Sequence, residues 1–331
     1  MVVVGGVLLA SERRGIADGP ERGPAPEGGR RLAARALPPA PARMPAAAAP
    51  ASREAPHATP MATALATAYA RHADAVAPHP RIAHKDTMAE ALAGEVGRRV
   101  MEEMAGALAG GDVAAMAVGI ADRTVLLDDV WMDALGKGVR QFVLVASGMD
   151  ARAWRLPCQS FDARVFEVDV EEVHAHKNAR LAEMRDPPST SGTRYRVHAD
   201  LNDGPAWASR IVDAGLDSSL PALFVLEGCL MYLELPRVKA LLAEVRGLCC
   251  GGSVLAGDCF VDTLDKLAAA GATTVVAQLG APWRSEFANG AHLRSALTEA
   301  GFQVRTVFHT EAARRHECDL KGGVSFVCTV A

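Results

Sequence analysis

Four residues suited to a ligand site stand at or just after the ends of four apolar segments. They are Gly148, Asp169, Asp200 and Glu227. A glycine lets a ligand approach the backbone closely, and a carboxylate accepts hydrogen bonds from two hydroxyl groups. Asp169 follows Gly148 by 21 positions, close to the spacing at which an acidic residue holds a ribose. One such acid is often simply solvated, but together the four predict a nucleoside site, with Asp200 near the base and Glu227 near the centre.

The loop after the first apolar segment favours a cationic ligand over a dinucleotide. A dinucleotide requires the pattern G-x-G-x-x-G, which seats its pyrophosphate against a helix N-terminus. The loop here reads Ala146-Ser147-Gly148-Met149-Asp150-Ala151, which lacks two of those glycines and places Asp150 where an anion would be repelled. Acidic surroundings suit a sulfonium instead. A methyl donor is therefore the favoured cofactor, and a nicotinamide-dependent oxidoreductase is the weaker alternative.

Alternating strand and helix patterns predict the element order that brings these residues together. Continuous apolar runs, typical of buried parallel strands, occupy residues 141–146, 165–169, 195–200, 222–227 and 253–258. Helical patterns cover residues 171–184 and 235–248, with a further helix over 291–300 before closing strands at 302–308 and 324–330. The expected fold is a doubly wound α/β domain. Its seven-stranded sheet is mostly parallel, with an antiparallel C-terminal edge hairpin.

The N-terminal part of the chain divides near residue 61. Residues 1–60 are rich in Ala, Pro, Gly and Arg, a composition that predicts a disordered extension because it buries too little apolar surface. An organellar transit peptide is the alternative for this segment. Helices are expected over residues 63–75, 86–108 and 123–135, and the folded domain over 61–331.

Composition excludes several classes of partner. The chain has 331 residues, half of them hydrophobic, and a net charge of −4, so no basic field predicts a nucleic-acid partner. No apolar run approaches the length of about 18 residues that a membrane span needs, so no membrane partner is expected. The seven cysteines form no C-x-x-C pair, which predicts neither a metal site nor a disulfide framework. We expect reduced thiols and a cytoplasmic location, or an organellar one if residues 1–60 are a transit peptide.

Four motifs occur in a fixed order. They are Ala121-Asp122-Arg123-Thr124 with Asp128-Asp129, Val143 to Leu156 (V-L-V-A-S-G-M-D-A-R-A-W-R-L), Phe166-Glu167-Val168-Asp169 followed by Asp200-Leu201, and Glu227 to Leu233 (E-G-C-L-M-Y-L). In these motifs the chain resembles the leucine carboxyl methyltransferase family and its bacterial relatives, which are class I S-adenosylmethionine-dependent enzymes. The second motif is similar to the family's loop G-x-G-x-D-T-R-x-x-R-L. The resemblance covers about residues 61 to 331.

The resemblance implies a role for each matching residue in holding S-adenosylmethionine. The methionine part of the cofactor would lie against Gly148, with its carboxylate on Arg123 and its amino group near Glu227. Asp169 would hold the ribose, and Asp200-Leu201 would border the adenine. No catalytic residue is assigned.

Some positions depart from the family pattern or have a second interpretation. Ala146 replaces the first glycine of the loop, Ala151 its threonine, and Thr87 a proline. These departures keep a catalytically silent S-adenosylmethionine-binding protein as an alternative. Arg71 would supply a second cationic contact, whereas Arg123 has the alternative of a surface ion pair on a helix.

Two acceptor chemistries fit the resemblance. A carboxylate, on a small molecule or at a protein C-terminus, is already a nucleophile and needs no base, whereas a hydroxyl requires one. Either reaction would be an in-line O-methylation, in which the enzyme chiefly aligns the donor and the acceptor. Tyr232 would either orient the acceptor or pack in the core.

Overall fold

Helices and strands alternate along most of the chain from residue 141 onward. The computed structural model describes residues 60–184, 192–309 and 322–330. The helices in these ranges are α1 Pro60–Ala75, α2 Ala89–Leu108, α3 Val113–Gly136, α4 Arg152–Arg155, α5 Glu171–Glu183, α6 Ala206–Asp213, α7 Leu235–Gly247, α8 Leu264–Ala269, α9 Ala272–Gln278 and α10 Gly290–Glu299. The strands are β1 Gln141–Val145, β2 Arg164–Asp169, β3 Thr193–His198, β4 Ala222–Leu226, β5 Val254–Val261, β6 Gln303–His309 and β7 Gly322–Thr329.

The seven strands form one mixed sheet in the order β3-β2-β1-β4-β5-β7-β6. Strands β1 to β5 are parallel, and β7 lies antiparallel between β5 and β6. The predicted doubly wound sheet with an antiparallel C-terminal edge hairpin is therefore confirmed. Because β1 lies between β2 and β4, the chain order reverses at that strand. Ligands of such sheets bind in the crevice at this switch point.

Apolar residues on both faces explain why the central strands are buried. Every residue of β1 and of β4 is buried. On one face, Phe142 stacks on Trp131 of α3 with ring centroids 4.3 Å apart. On strand β2, Phe166 stacks on Tyr195 of β3 at 4.7 Å. Val143 and Val145 of β1 pack in one apolar cluster with α6 and α7, whereas Leu144 packs in a second cluster with α3, so helices cover both faces of the sheet. The carboxyl ends of the strands remain as the open edge.

The N-terminal helices pack against one another near the switch point. Helix α1 contacts both α2 and α3. Gly97 of α2 allows the closest approach, since a Cβ atom there would lie 2.5 Å from the carbonyl oxygen of Leu65. None of the helices in the described part of the chain is both long enough and apolar enough to span a membrane.

Several element boundaries differ from the prediction. Helix α3 begins at Val113, ten residues earlier than expected, because the Asp112 side chain accepts a hydrogen bond from Ala115 N at 3.0 Å and caps a segment rich in Ala and Met. Strand β3 lies two residues upstream of the predicted one. Asp200 therefore stands beyond it, where its side chain caps a short turn by accepting a hydrogen bond from Asn202 N at 2.8 Å.

Two predictions fall on parts of the chain outside the described residues. The expected disordered extension over 1–60 lies outside them except for Pro60, where α1 begins. The polar stretch predicted around 311–321 also lies outside them.

A buried ion triad joins β2, β3 and α5. The carboxylate of Glu167 accepts hydrogen bonds from Lys177 Nζ at 3.0 Å and from Arg194 Nη2 at 2.7 Å, and both Glu167 and Lys177 are fully buried. Burial alone would raise the pKa of Glu167, but the two cations outweigh it and lower that pKa. Lys177 Nζ also donates to the carbonyl oxygen of Asp150 at 2.6 Å. The triad therefore fixes the loop that follows β1.

Replacement of this lysine should be strongly destabilising. Lys177→Met leaves the buried Glu167 with one cation, so we expect a loss of about 3–5 kcal/mol in the free energy of unfolding, measured by urea titration. The control is Lys137→Met, which breaks an exposed pair with Asp133 and should cost at most about 1 kcal/mol. Equal losses in the two variants would contradict a structural role for the triad.

Candidate functional site

A cavity of about 1150 Å³ opens at the carboxyl ends of the parallel strands. All six predicted cofactor-binding residues line it: Arg123, Gly148, Asp169, Asp200, Leu201 and Glu227. The strand order explains why they meet, because the carboxyl ends of parallel neighbours lie at one edge of the sheet. Helices α1 and α3 form the facing wall, to which Arg71 and Arg123 belong.

The loop after β1 is tied directly to the end of β2. Asp169 Oδ2 accepts a hydrogen bond from Gly148 N at 2.7 Å, and Oδ1 accepts one from Val170 N at 2.8 Å. Each carboxylate oxygen keeps a second lone pair for another donor. Burial raises the pKa of Asp169, although these two backbone hydrogen bonds act in the opposite direction. Gly148 and Asp169, which the sequence analysis assigned to one ligand site, are thus in direct contact.

Two residues of this loop adopt left-handed backbone conformations. Gly148 has φ 47°, and a Cβ atom there would lie 3.1 Å from the Cβ of Ala64 in α1. Ala146 has φ 55°, a region that glycine enters freely but that strains an alanine. Ala146 therefore carries local backbone strain at the position where the family pattern has a glycine.

Glu227 lies between two arginines at the end of β4. Its Oε1 accepts a hydrogen bond from Arg123 Nε at 3.1 Å, and its Oε2 accepts one from Arg152 Nη1 at 2.6 Å. Burial alone would raise the pKa of Glu227, but Arg152 and Arg123 outweigh it and hold that pKa well below its usual range. Glu227 therefore carries its negative charge at neutral pH.

Arg123 is a buried residue and not a surface ion pair. Its side chain is 14% exposed and contacts the carboxylates of both Glu227 and Asp258, the latter at 3.0 Å. Asp258 Oδ1 also accepts a hydrogen bond from Gly228 N at 2.6 Å. The alternative of a solvated ion pair on a helix is therefore wrong, and Arg123 is placed on the cavity wall by two acidic residues.

Arg152, Arg155 and Arg71 form ion pairs around the loop after β1, and two residues of this network, Arg71 and Asp150, also line the cavity. Arg152, which is 1% exposed, donates to Asp128 Oδ1 at 2.8 Å and contacts the carboxylate of Asp150. Arg155 donates to the same Asp128 oxygen at 2.6 Å. Arg71 donates to Asp86 at 2.9 Å and to the Met149 carbonyl at 2.7 Å. The ion pairs of Arg152 thus hold the loop after β1 between α3 and β4.

Asp258 is a site residue that the sequence reasoning did not select. The apolar run over 253–258 ends in this acid just as earlier runs do, which was the available signal. Strand β5 continues to Val261, so Asp258 lies within the strand, and its side chain lines the cavity. Burial raises the pKa of Asp258, although the positive charge of Arg123 opposes this shift.

Relief of the strained alanine should stabilise the protein. In Ala146→Gly the left-handed conformation no longer carries its cost of about 1–2 kcal/mol, while glycine adds about 0.5–1 kcal/mol of chain entropy. We expect a net gain of about 0 to 1.5 kcal/mol in the free energy of unfolding, measured by thermal melting. A clear decrease in the free energy of unfolding would contradict the inference that Ala146 is strained.

Comparison with known proteins agrees with the fold. Proteins named "Putative S-adenosyl-L-methionine-dependent methyltransferase" from Mycobacterium bovis (strain BCG / Pasteur 1173P2) and Mycobacterium avium (strain 104) are 41% and 40% identical over 150 and 148 residues. Each match covers 45% of this chain and 48% of the relative, so the chain spans about half the length of the curated relatives it matches.

Solved structures and a family model complete the comparison. A duf574 family protein from Streptomyces avermitilis has a TM-score of 0.55 at 16% identity, covering 80% of this chain and 97% of that one. A protein from Thermobifida fusca YX, called a "putative methyltransferase", has a TM-score of 0.52 at 23% identity, covering 79% and 94%. At these sequence identities the similarity to the two structures shows a shared fold only. The model of the leucine carboxyl methyltransferase family matches residues 62–246, more than half of the chain, and the chain therefore belongs to this family.

Proposed function

We propose that the chain is an S-adenosylmethionine-dependent methyltransferase that methylates an oxygen atom of a carboxylate or hydroxyl acceptor. The observation that carries this proposal is the cavity at the sheet's switch point, where Gly148, Asp169 and Glu227 lie on three adjacent strand ends. Membership of a methyltransferase family supports the same activity.

The charge of the cavity wall favours this cofactor. Among the described lining residues, the carboxylates are Asp150, Asp169, Glu172, Asp200, Glu227 and Asp258, and the cations are Arg71 and Arg123. A wall with this excess of negative charge favours a sulfonium cation and opposes a pyrophosphate. The electrostatics therefore support the methyl donor over a dinucleotide.

The residues present fit the parts of S-adenosylmethionine. Asp169 would take the ribose hydroxyls on its remaining lone pairs, and Asp200-Leu201 would border the adenine. Glu227 is held ionised, so it would attract the cofactor's amino group, while Arg123 beside it would pair with the cofactor's carboxylate. Gly148 would let the methionine part approach the backbone. The contacts at Asp200, Asp169, Gly148 and Glu227 follow the strand order β3, β2, β1 and β4.

The role of the chain in transfer is to orient the reactants. The bound cofactor supplies a methyl group attached to a positively charged sulfur. An in-line displacement moves this methyl group to the acceptor and removes the charge from the sulfur. The protein contributes by fixing Gly148 through Asp169, and Glu227 through two buried arginines, so that the reacting groups meet in one geometry. Such orientation supplies up to about 7–11 kcal/mol of the barrier reduction in well-aligned reactions.

The ribose contact provides the test of this proposal. Asp169→Ala removes charge-assisted hydrogen bonds worth roughly 1.5–3 kcal/mol, so affinity for S-adenosylhomocysteine should fall about tenfold to a hundredfold. Isothermal titration calorimetry measures this affinity at a temperature well below the melting point of the variant. The same change frees the N–H groups of Gly148 and Val170, so a small drop in melting temperature is also expected.

The matched control is a neighbouring acid on the following helix. Glu171 begins α5 and its carboxylate lies 2.5 Å from His198 Nδ1, at an exposed position. Glu171→Ala should therefore leave cofactor affinity nearly unchanged. Equal effects from the two substitutions, or an unchanged affinity in Asp169→Ala, would show that the cofactor does not lie at this strand end.

A further inference from the structure

The cavity continues past the acidic strand ends into a region of different chemistry. Across the sheet the wall carries Asp200, Asp169, Gly148, Glu227 and Asp258 in that order, and the last of these lies on β5. Six lining side chains from α2, α3, β5 and the segments after β5 are apolar, beside the charged Arg123 of α3 and the hydroxyl of Thr263. We call this region the apolar half: Met104, Met116, Ile120, Phe260, Leu267 and Trp283.

Aromatic packing gives the apolar half a defined wall. Phe260 and Trp283 meet edge to face, with ring centroids 4.9 Å apart. Both rings are only half-buried, so part of each faces the cavity. Phe260 stands two residues after Asp258 on β5, and side chains at this spacing point to the same face of a sheet. Asp258 therefore lies at the boundary between the acidic edge and the apolar half.

The described cations of the cavity wall, Arg71 and Arg123, are paired with protein acceptors, and in the proposed function the carboxylate of the cofactor also takes Arg123. Arg71 donates to Asp86 and to the Met149 carbonyl, and Arg123 donates to Glu227 and Asp258. A carboxylate placed in the apolar half would lose its hydration and would meet the charge of Asp258. Burial of an ion without a partner is strongly unfavourable. An uncharged acceptor avoids both costs.

We propose that the acceptor is an uncharged, largely apolar phenol or alcohol that lies in the apolar half, and not the carboxylate of a protein C-terminus. This inference rests on the proposed function and names the acceptor class of that same site. The hydroxyl oxygen forms the new O–CH₃ bond while the S–CH₃ bond breaks, and the bonding electrons remain on sulfur as a neutral thioether. The hydroxyl proton passes to the carboxylate of Asp258.

The position of Asp258 supports this proton transfer. Its two oxygens accept one hydrogen bond each from Gly228 N and Arg123 Nη1, so each keeps a lone pair. Burial raises the pKa of this carboxyl even though Arg123 opposes the shift. A carboxylate with a raised pKa is a better proton acceptor than a solvated one.

A pair of probes with the same ring system tests the acceptor class. The full chain is titrated by calorimetry with 1-naphthol and with 1-naphthoate, each in the presence and absence of S-adenosylhomocysteine. We expect the naphthol to bind at least about tenfold more tightly than the naphthoate. Equal or tighter binding of the naphthoate, or no binding of either probe, would overturn the inference.

Ring-deletion variants place the probe in the cavity. Phe260→Ala should weaken naphthol binding about tenfold while affinity for S-adenosylhomocysteine stays unchanged. The control is Phe161→Ala, which removes a half-buried ring that lies under Arg140, just before β2. Equal weakening in both variants would overturn the assignment to the apolar half.

A third probe tests the boundary carboxylate. Naphthalene lacks the hydroxyl, so the wild-type protein should prefer 1-naphthol over it, and Asp258→Asn should reduce that preference at least about threefold. An unchanged preference would overturn the role of Asp258. If naphthol binds but S-adenosylhomocysteine does not, the proposed function fails and the apolar half stands. If S-adenosylhomocysteine binds but naphthol does not, the proposed function stays intact and this inference is overturned.

Discussion

The buried guanidinium of Arg152 is the interaction on which the geometry of the cavity depends. It joins carboxylates from three separate parts of the chain: Asp128 of α3, Asp150 of the loop after β1, and Glu227 at the end of β4. A buried charge is tolerated only with such partners, and removal of one partner leaves the others uncompensated. The loop that carries Gly148 is thus fixed relative to the neighbouring strand before any ligand binds.

A division of charge along the open edge of the sheet follows from this arrangement. The ends of β2 and β3 present carboxylates, whereas methionine, aromatic and aliphatic side chains line the region beyond β5. In the proposed function this division separates a polar, cationic donor from an uncharged acceptor. Arg123 and Asp258 lie at the boundary, where they form an ion pair at 3.0 Å. The same edge therefore offers two chemically distinct places within one cavity.

Much of the fold and the site was predictable because both depend on local patterns. Apolar runs buried on both faces identified β1 and β4, and parallel strands bring their carboxyl ends to one edge, so Asp169 and Glu227 line the same cavity. The ion pairs of Arg152 join residues 24 and 75 positions apart, which sequence spacing alone does not pair. The left-handed conformation of Ala146 likewise arises from tertiary structure that overrides the preference of alanine.

The central claim is that this edge of the sheet binds a sulfonium nucleoside and rejects a dinucleotide. Calorimetric titration of the full chain with S-adenosylmethionine, and separately with NAD, tests it most directly. The account predicts one site for S-adenosylmethionine and no detectable binding of NAD, because the loop after β1 lacks two of the three glycines of a pyrophosphate-binding turn and the described cavity wall carries more carboxylates than cations. Tight binding of NAD, or the absence of S-adenosylmethionine binding, would contradict the account.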